Sequence, residues 1–172
     1  QRKRTKKSIH LKNTKRTDMP MDIKKKADSL VRKFQTRNPF EIIQGLNVIL
    51  VFAPLVDTRA FYQYFQRNNI IYIDESLTKH EQAFECAHEM GHMFLHKKAN
   101  AIFMDTRTNF NSNKLEIEAD TFAMDLLVGD DILAEYSSYN TEQISHLLGY
   151  ERRLMELRFR ESNYELEVQK EF

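Results

Sequence analysis

The chain has 172 residues, which suits one domain with a proper core and is too short for two. Hydrophobic residues make up 41% and charged residues 30% of the chain, an ordinary balance for a soluble protein. No run of residues approaches the roughly 20 apolar positions of a membrane span, and no apolar secretion segment lies near the start. The single cysteine, Cys86, excludes an internal disulfide and predicts a reducing, cytoplasmic location.

The net charge of +1 hides an uneven distribution. Residues 1–20 contain eight Lys or Arg and one Asp, which gives +7, and the other 152 residues hold 18 basic and 24 acidic groups, which gives −6. A basic block without aromatic residues is typical of a solvated, disordered arm, although it could also contact nucleic acid. We predict a basic extension over 1–20, natural or artificial, one folded domain over 21–162 and a tail over 163–172.

The first half of the domain predicts two helices and a small sheet. Apolar residues at helical spacing indicate an amphipathic helix over about 22–36, and Asn38-Pro39 marks the start of a second helix. Asn68-Asn69 predicts a turn between the last two strands. The three predicted strands cover 48–56, 59–66 and 70–74. The fold class is therefore α+β, with a three-stranded, mostly antiparallel sheet.

The second half is predicted to be helical. Thr78 and Glu81 have the spacing of a capping box, which starts a helix over about 79–97. A loop over 99–113, with a short extended piece around 102–104, leads to a second helix over about 114–128. Helices over about 141–161 have the size of a helix-turn-helix, but we favour packing against the core. Four arginines give this region a basic surface: Arg152, Arg153, Arg158 and Arg160.

The most specific feature is the motif His88-Glu89-Met90-Gly91-His92. Side chains four apart lie on one face of a helix, so both imidazoles can bind one ion while Glu89 stands beside it as a base. Two histidines at this spacing can also lie on an ordinary surface, but here the neighbouring positions form an apolar stripe. Gly91 in mid-helix costs about 1 kcal/mol relative to Ala, which the fold tolerates if something must approach the backbone closely there. Cys86, two residues before the motif, faces another side and is predicted to pack in the core.

A second acidic motif, Glu116-Ile117-Glu118-Ala119-Asp120, supplies the missing carboxylates. A catalytic zinc site with two His and one carboxylate leaves a fourth position open for water. We predict Glu116 as the third ligand. Asp120, one turn further on, is predicted to accept a hydrogen bond from the outer nitrogen of a ligating His and to fix its tautomer.

Over roughly residues 22–160 the chain resembles the ImmA/IrrE metallopeptidases, which occur on phages and integrative mobile elements and in stress-response loci of bacteria. The resemblance rests on the two motifs above, on the segments 38–42 and 71–73, and on Leu126-Leu127 after the second motif. It implies a zincin-like helical core and a gluzincin-like site. In that site His88, His92 and Glu116 hold Zn²⁺, or another divalent ion such as Mn²⁺, Glu89 is the base and Asp120 orients a ligand.

The resemblance also implies a protein substrate, namely a repressor with a helix-turn-helix domain, whose cleavage relieves repression of a mobile element, phage or stress genes. One departure is visible, because Val128-Gly129-Asp130 stands where the family usually has a Pro. Peptide hydrolysis also needs a donor that stabilises the tetrahedral oxyanion. The sequence offers five candidates: His96, Tyr72, Tyr136, Tyr139 and His146.

Two alternatives from other classes stay open. A non-catalytic regulator could keep the fold and the metal but bind a repressor or toxin stoichiometrically. A transcription factor could bind DNA through the basic extension and the C-terminal helices, which would give salt-dependent, sequence-specific binding.

Overall fold

A computed structural model of the chain describes residues 20–96 and 112–160. Within these residues the helices are α1 (Pro20–Phe34), α2 (Pro39–Gly45), α3 (Lys79–Leu95), α4 (Ser112–Leu127), α5 (Asp130–Glu135), α6 (Thr141–Leu148) and α7 (152–160). The strands are β1 (Ile49–Ala53), β2 (Ala60–Phe65) and β3 (Asn68–Asp74). The α+β class is confirmed. Most of the predicted basic extension, the loop with its extended piece around 102–104, and the tail over 163–172 lie outside the described residues.

The sheet is mixed rather than mostly antiparallel. Its strand order is β1-β3-β2, with β3 antiparallel to β2 and parallel to β1. The predicted turn at Asn68-Asn69 is wrong, since both residues belong to β3 and the two-residue loop is Gln66-Arg67, each with a positive φ. Two positive φ values give the local twist that a tight hairpin requires.

The inner face of the sheet packs on α3. The register pairs Ala60 with Ile73 and Tyr62 with Ile71, so all four residues share one face, and all four are buried. They form one hydrophobic core with residues of α1, α2, α3 and α4, in which Cys86 is fully buried, as predicted. The sheet therefore covers the apolar side of α3, and another side of that helix remains available for functional side chains.

Helices α3 and α4 approach each other most closely at Gly91. A Cβ atom on Gly91 would lie 2.9 Å from the Cα and 3.1 Å from the carbonyl oxygen of Ala119. The expected close approach at Gly91 is therefore present, and the approaching group is the backbone of Ala119. Because Ala119 lies between Glu116 and Asp120 in the second motif, this contact places the two motifs side by side.

A second, smaller core joins the C-terminal helices to α4. Leu154 and Met155 of α7 pack with Met124 of α4 and with Val128, which follows α4 directly, and all four are buried. The predicted basic surface needs a correction here. Arg158 is only 1% exposed because its guanidinium binds carboxylates and a carbonyl oxygen inside the fold. Among residues 20–96 and 112–160, no helix combines the length and apolarity needed to cross a bilayer.

Candidate metal centre

The motif helix α3 begins at its predicted cap. The Thr78 hydroxyl accepts a hydrogen bond from the backbone N–H of Glu81, and the Glu81 carboxylate accepts one from the backbone N–H of Thr78 at 2.9 Å. The Thr78 hydroxyl also donates to the Glu81 carboxylate at 2.7 Å, and this bond, the one from the Thr78 backbone N–H and one from Arg59 hold the pKa of Glu81 well below its usual range. The cap fixes the first turn of α3. It thereby fixes the direction in which His88 and His92 point around the helix axis.

Three potential ligands converge between α3 and α4. The Nε2 atoms of His88 and His92 lie 3.0 Å apart. The Glu116 carboxylate lies 3.2 Å from Nε2 of His88 and 3.5 Å from Nε2 of His92. One donor atom from each residue falls within 4.8 Å of the others. The sequence motifs therefore meet in space, as two helix faces joined at the Gly91–Ala119 contact.

These distances suit a small tetrahedral cation. Nitrogen and oxygen ligands about 2.0–2.2 Å from such an ion stand roughly 3.3–3.5 Å from one another. The observed separations of 3.0, 3.2 and 3.5 Å run from slightly below that range to its upper end, with His88 measured to Oε2 and His92 to Oε1 of Glu116. Two imidazole nitrogens and one carboxylate oxygen are also a donor set that zinc accepts. The residues present therefore fit a bound divalent ion.

Asp120 lies behind His88. The Nδ1–H of His88 donates to Oδ1 of Asp120 at 3.0 Å, which leaves Nε2 directed at the convergence point. Burial lowers the pKa of His88, but the hydrogen bonds with Asp120 and Glu116 outweigh burial and raise it to about 10. Burial also raises the pKa of Asp120, but hydrogen bonds with His88 and Arg153 hold it below its usual value. The Asp120 carboxylate is thus ionised although it is buried.

The two glutamates near the histidines differ in environment. Glu89 is only 7% exposed, and burial raises the pKa of its carboxyl, against the opposing effect of His88 and His92. The side chain of Glu116 is half-exposed, and its hydrogen bonds with His88 and His92 lower its pKa. A buried carboxyl with a raised pKa is suited to exchanging a proton near neutral pH, whereas one held ionised is suited to binding a cation.

The three converging residues and Glu89 line one open cavity of about 1120 Å³. Its walls come from α3, α4, the start of β2 and the turn between α6 and α7. Apart from the converging residues, the lining includes Arg59, Phe61, His80, Phe84, Asp120, Tyr150, Glu151 and Arg153. This open groove is larger than the roughly 300–1,000 Å³ of ordinary small-ligand pockets.

None of the five residues predicted as oxyanion donors lines this cavity. Tyr72 stacks on Phe61 at a centroid distance of 4.4 Å, and the exposed His146 lies beside Glu142. Tyr136 and Tyr139 contact each other. These four are placed elsewhere because sheet and helix register, which a one-dimensional pattern does not show, directs them away from α3.

The ring of His96 neighbours that of a proposed ligand, but His96 pairs with Glu118 and does not line the cavity. It caps the end of α3, is 7% exposed, and has its Nε2 3.4 Å from Oε2 of Glu118. Its ring lies 5.6 Å from that of His92, and burial lowers its pKa. Its surroundings are those of a packed histidine.

Sequence reasoning missed the part of the groove that His80, Phe84 and Tyr150 form. The ring of Tyr150 lies 4.6 Å from His80 and 6.2 Å from Phe84, and Nε2 of His80 donates to the Gly149 carbonyl at 3.2 Å. His80 and Phe84 precede His88 at intervals of four, so the helical period alone could have placed them on the ligand face. No local pattern pointed to Gly149 or Tyr150, because their contact with α3 is long-range.

Comparisons with known proteins agree with this geometry. Residues 44–160 match the peptidase M78 family, described as the IrrE N-terminal-like domain. The chain is 40% identical over 121 residues to uncharacterized immunity region protein 2 of Bacillus phage phi105, covering 70% of this chain and 75% of that protein. It is 32% identical over 119 residues to metallopeptidase ImmA of Bacillus subtilis (strain 168), covering 68% of this chain and 69% of that protein. The chain belongs to the peptidase M78 family of metallopeptidases.

Proposed function

We propose that the chain is a zinc-dependent endopeptidase in which His88, His92 and Glu116 hold the ion and Glu89 is the general base. The observation that carries this proposal is the convergence of three donor atoms within 4.8 Å on the wall of a peptide-sized groove, beside a buried carboxyl. A bound divalent ion would supply a Lewis acid that polarises a carbonyl and lowers the pKa of water. Zinc is favoured over Mn²⁺ because two of the three donors are imidazole nitrogens.

Each side chain then has a distinct duty. Glu89 takes a proton from the attacking water and later delivers it to the leaving amine, for which its raised pKa is suited. Asp120 keeps the Nδ1 proton on His88, so that Nε2 presents its lone pair. Among the cavity-lining residues, Tyr150 carries a hydroxyl that we propose as the donor to the developing oxyanion, since the Nε2–H of His80 already binds the Gly149 carbonyl.

For the substrate we propose a repressor with a helix-turn-helix domain, encoded beside this gene. Support comes from family membership and from the relative named as an immunity region protein of a phage. An open groove rather than a closed pocket suits cleavage within a chain. Cleavage would relieve repression of the mobile element, phage or stress genes.

The test is incubation of a substoichiometric amount of the chain with the neighbouring repressor, with and without chelator, read by intact mass. We expect two fragments of the repressor, and loss of both with chelator. Glu89→Gln should keep one zinc per chain but slow cleavage by about 10²–10⁴-fold, the typical contribution of a general base. His92→Ala should lose both zinc and cleavage.

Glu135→Gln is the matched control, because Glu135 is exposed and is not among the residues that line the groove. It should cleave like the wild type. An unimpaired Glu89→Gln, or one that binds no zinc, would contradict the assignment. An intact repressor held in a stoichiometric complex would instead support the sequestering regulator.

A further inference from the structure

Arg153 of α7 reaches the back of the metal centre. Its Nη1 donates to Oδ2 of Asp120 at 2.7 Å, while the other oxygen of that carboxylate, Oδ1, accepts from Nδ1 of His88 at 3.0 Å. The side chain of Asp120 is 7% exposed and that of Arg153 is 57% exposed. A continuous chain of hydrogen bonds therefore runs from the groove surface to a proposed ligand.

We propose that Arg153 is a positioning residue of the metal centre, which holds the Asp120 carboxylate in the orientation that fixes His88 and so raises the affinity for the divalent ion. This inference rests on the ligand assignment of the proposed function. It makes the C-terminal helices part of the site rather than only a support for it.

The need for a second anchor on Asp120 follows from its side-chain torsions. The terminal torsion of an Asp side chain is broad, so a single hydrogen bond on one oxygen leaves the carboxylate plane free to rotate. A second, charge-assisted bond on the other oxygen fixes that plane. With both bonds present, the oxygen that faces His88 is held where the imidazole must stand for its Nε2 to reach the convergence point.

The backbone of Arg153 is itself held firmly. The next two residues, Leu154 and Met155, are buried against Met124 in the second core. Met124 lies one turn beyond Asp120 on α4, so the apolar contact and the ion pair are adjacent. Apolar packing thus sets the position of α7 against α4. Once α7 is in place, only the side-chain torsions of Arg153 have to be fixed for its guanidinium to bind Asp120.

The neighbouring arginine provides a matched control. Arg152 lies on the same helix with a similar exposure of 62%, and it also pairs with carboxylates, those of Glu142 and Glu156. It is not among the residues that line the groove. Substitution of Arg152 removes the same charge from the same helix without touching Asp120.

The test measures the zinc dissociation constant of the full chain by competition with a chromophoric chelator at fixed pH. Arg153→Ala should weaken zinc binding about tenfold, the lower end of the effect of residues that support a metal ligand. Arg152→Ala should bind zinc as the wild type does. Arg153→Lys, which keeps the charge but not the planar fork, should fall between Arg153→Ala and the wild type.

A double-mutant cycle with Asp120→Asn separates positioning from other roles. If Arg153 acts through Asp120, adding Arg153→Ala to Asp120→Asn should weaken zinc binding by less than about twofold further. The visible spectrum of the cobalt-loaded chain should change in Arg153→Ala and not in Arg152→Ala, which a purely structural role would not produce. Thermal unfolding in chelator checks that each variant is folded.

Equal zinc affinities for Arg153→Ala and Arg152→Ala would overturn the inference, as would full additivity with Asp120→Asn. If the wild type still cleaved its substrate in a chelator-sensitive way, the proposed function would stand even though the inference about Arg153 had failed. A wild-type chain that binds no divalent ion would overturn both.

Discussion

Two arginines five residues apart tie α7 to α4 in opposite ways. Arg153 reaches Asp120 on the wall of the groove and is 57% exposed, whereas Arg158 is 1% exposed and donates to the Val128 carbonyl oxygen at 2.8 Å. Arg158 also lies 3.5 Å from the carboxylate of Asp125, which is fully buried. Arg153 therefore contacts a residue of the proposed metal centre, whereas Arg158 binds groups in the protein interior.

The difference lies in what surrounds each ion pair. An ion pair at the surface contributes little to the free energy of unfolding, because water screens it and the side chains lose conformational freedom. A buried pair cannot lose one partner without leaving the other charge in a poor solvent. We therefore expect substitution of Arg158 to act on stability, and substitution of Arg153 to act on the metal centre.

The largest expected effect separates the two arginines directly. Arg158→Ala should lower the free energy of unfolding by about 3–5 kcal/mol, the usual consequence of breaking a buried ion pair. Arg152→Ala, whose ion pairs are exposed, should lower it by less than about 1 kcal/mol. Arg153→Ala should lower it by less than Arg158→Ala, because its guanidinium is half-exposed and the buried Asp120 carboxylate keeps its hydrogen bond with His88. Urea denaturation of the chelator-treated chain measures all three.

Arg158→Lys keeps the buried charge and supplies a milder variant if Arg158→Ala does not fold. A loss below about 1 kcal/mol for Arg158→Ala would mean that the two ion pairs do not differ as described.

A smaller effect concerns pH. Asp130 accepts from Nζ of Lys24 at 2.8 Å and also pairs with Arg158. Burial raises the pKa of Asp130, but these hydrogen bonds outweigh burial and lower it below its ordinary value of 3.8. A lowered pKa stabilises the folded state fully above 3.8, and this contribution is lost as the pH falls through the folded-state pKa.

The difference in free energy of unfolding between the wild type and Asp130→Asn should thus be largest near neutral pH. It should disappear as the pH falls below 3.8. Because the Asp130 side chain is 58% exposed, the difference should stay below about 1 kcal/mol. Urea denaturation at a series of pH values provides the comparison. A difference that grows on acidification would have the wrong sign.

Local signals in the sequence predicted much of the site. The spacing of four between His88 and His92, the cap at Thr78 and the mid-helix Gly91 each depend on one helix, and each is found in the structure. The proximity of Glu116 to the histidines came from the acidic motif and the family resemblance. Helical period and metal chemistry could lead to this prediction because the proposed ligands lie on two regular helices.

What the sequence did not predict depends on long-range geometry. Asn68-Asn69 has better turn propensity than Gln66-Arg67, yet the loop is at Gln66-Arg67, which gives the register that pairs Ala60 with Ile73 and Tyr62 with Ile71, all of them buried. Likewise, four arginines near the C-terminus suggested one basic surface. Arg153 and Arg158 have different partners, which depend on how α7 packs on α4 and cannot be read from the sequence.

The central claim is that His88, His92 and Glu116 bind one divalent ion. Diffraction at the zinc absorption edge, from crystals of the chain grown with zinc, tests it most directly. We expect one anomalous peak about 2.0–2.2 Å from the Nε2 atoms of both histidines and from the Glu116 carboxylate. A peak that excludes Glu116, or no peak between α3 and α4, would contradict the account.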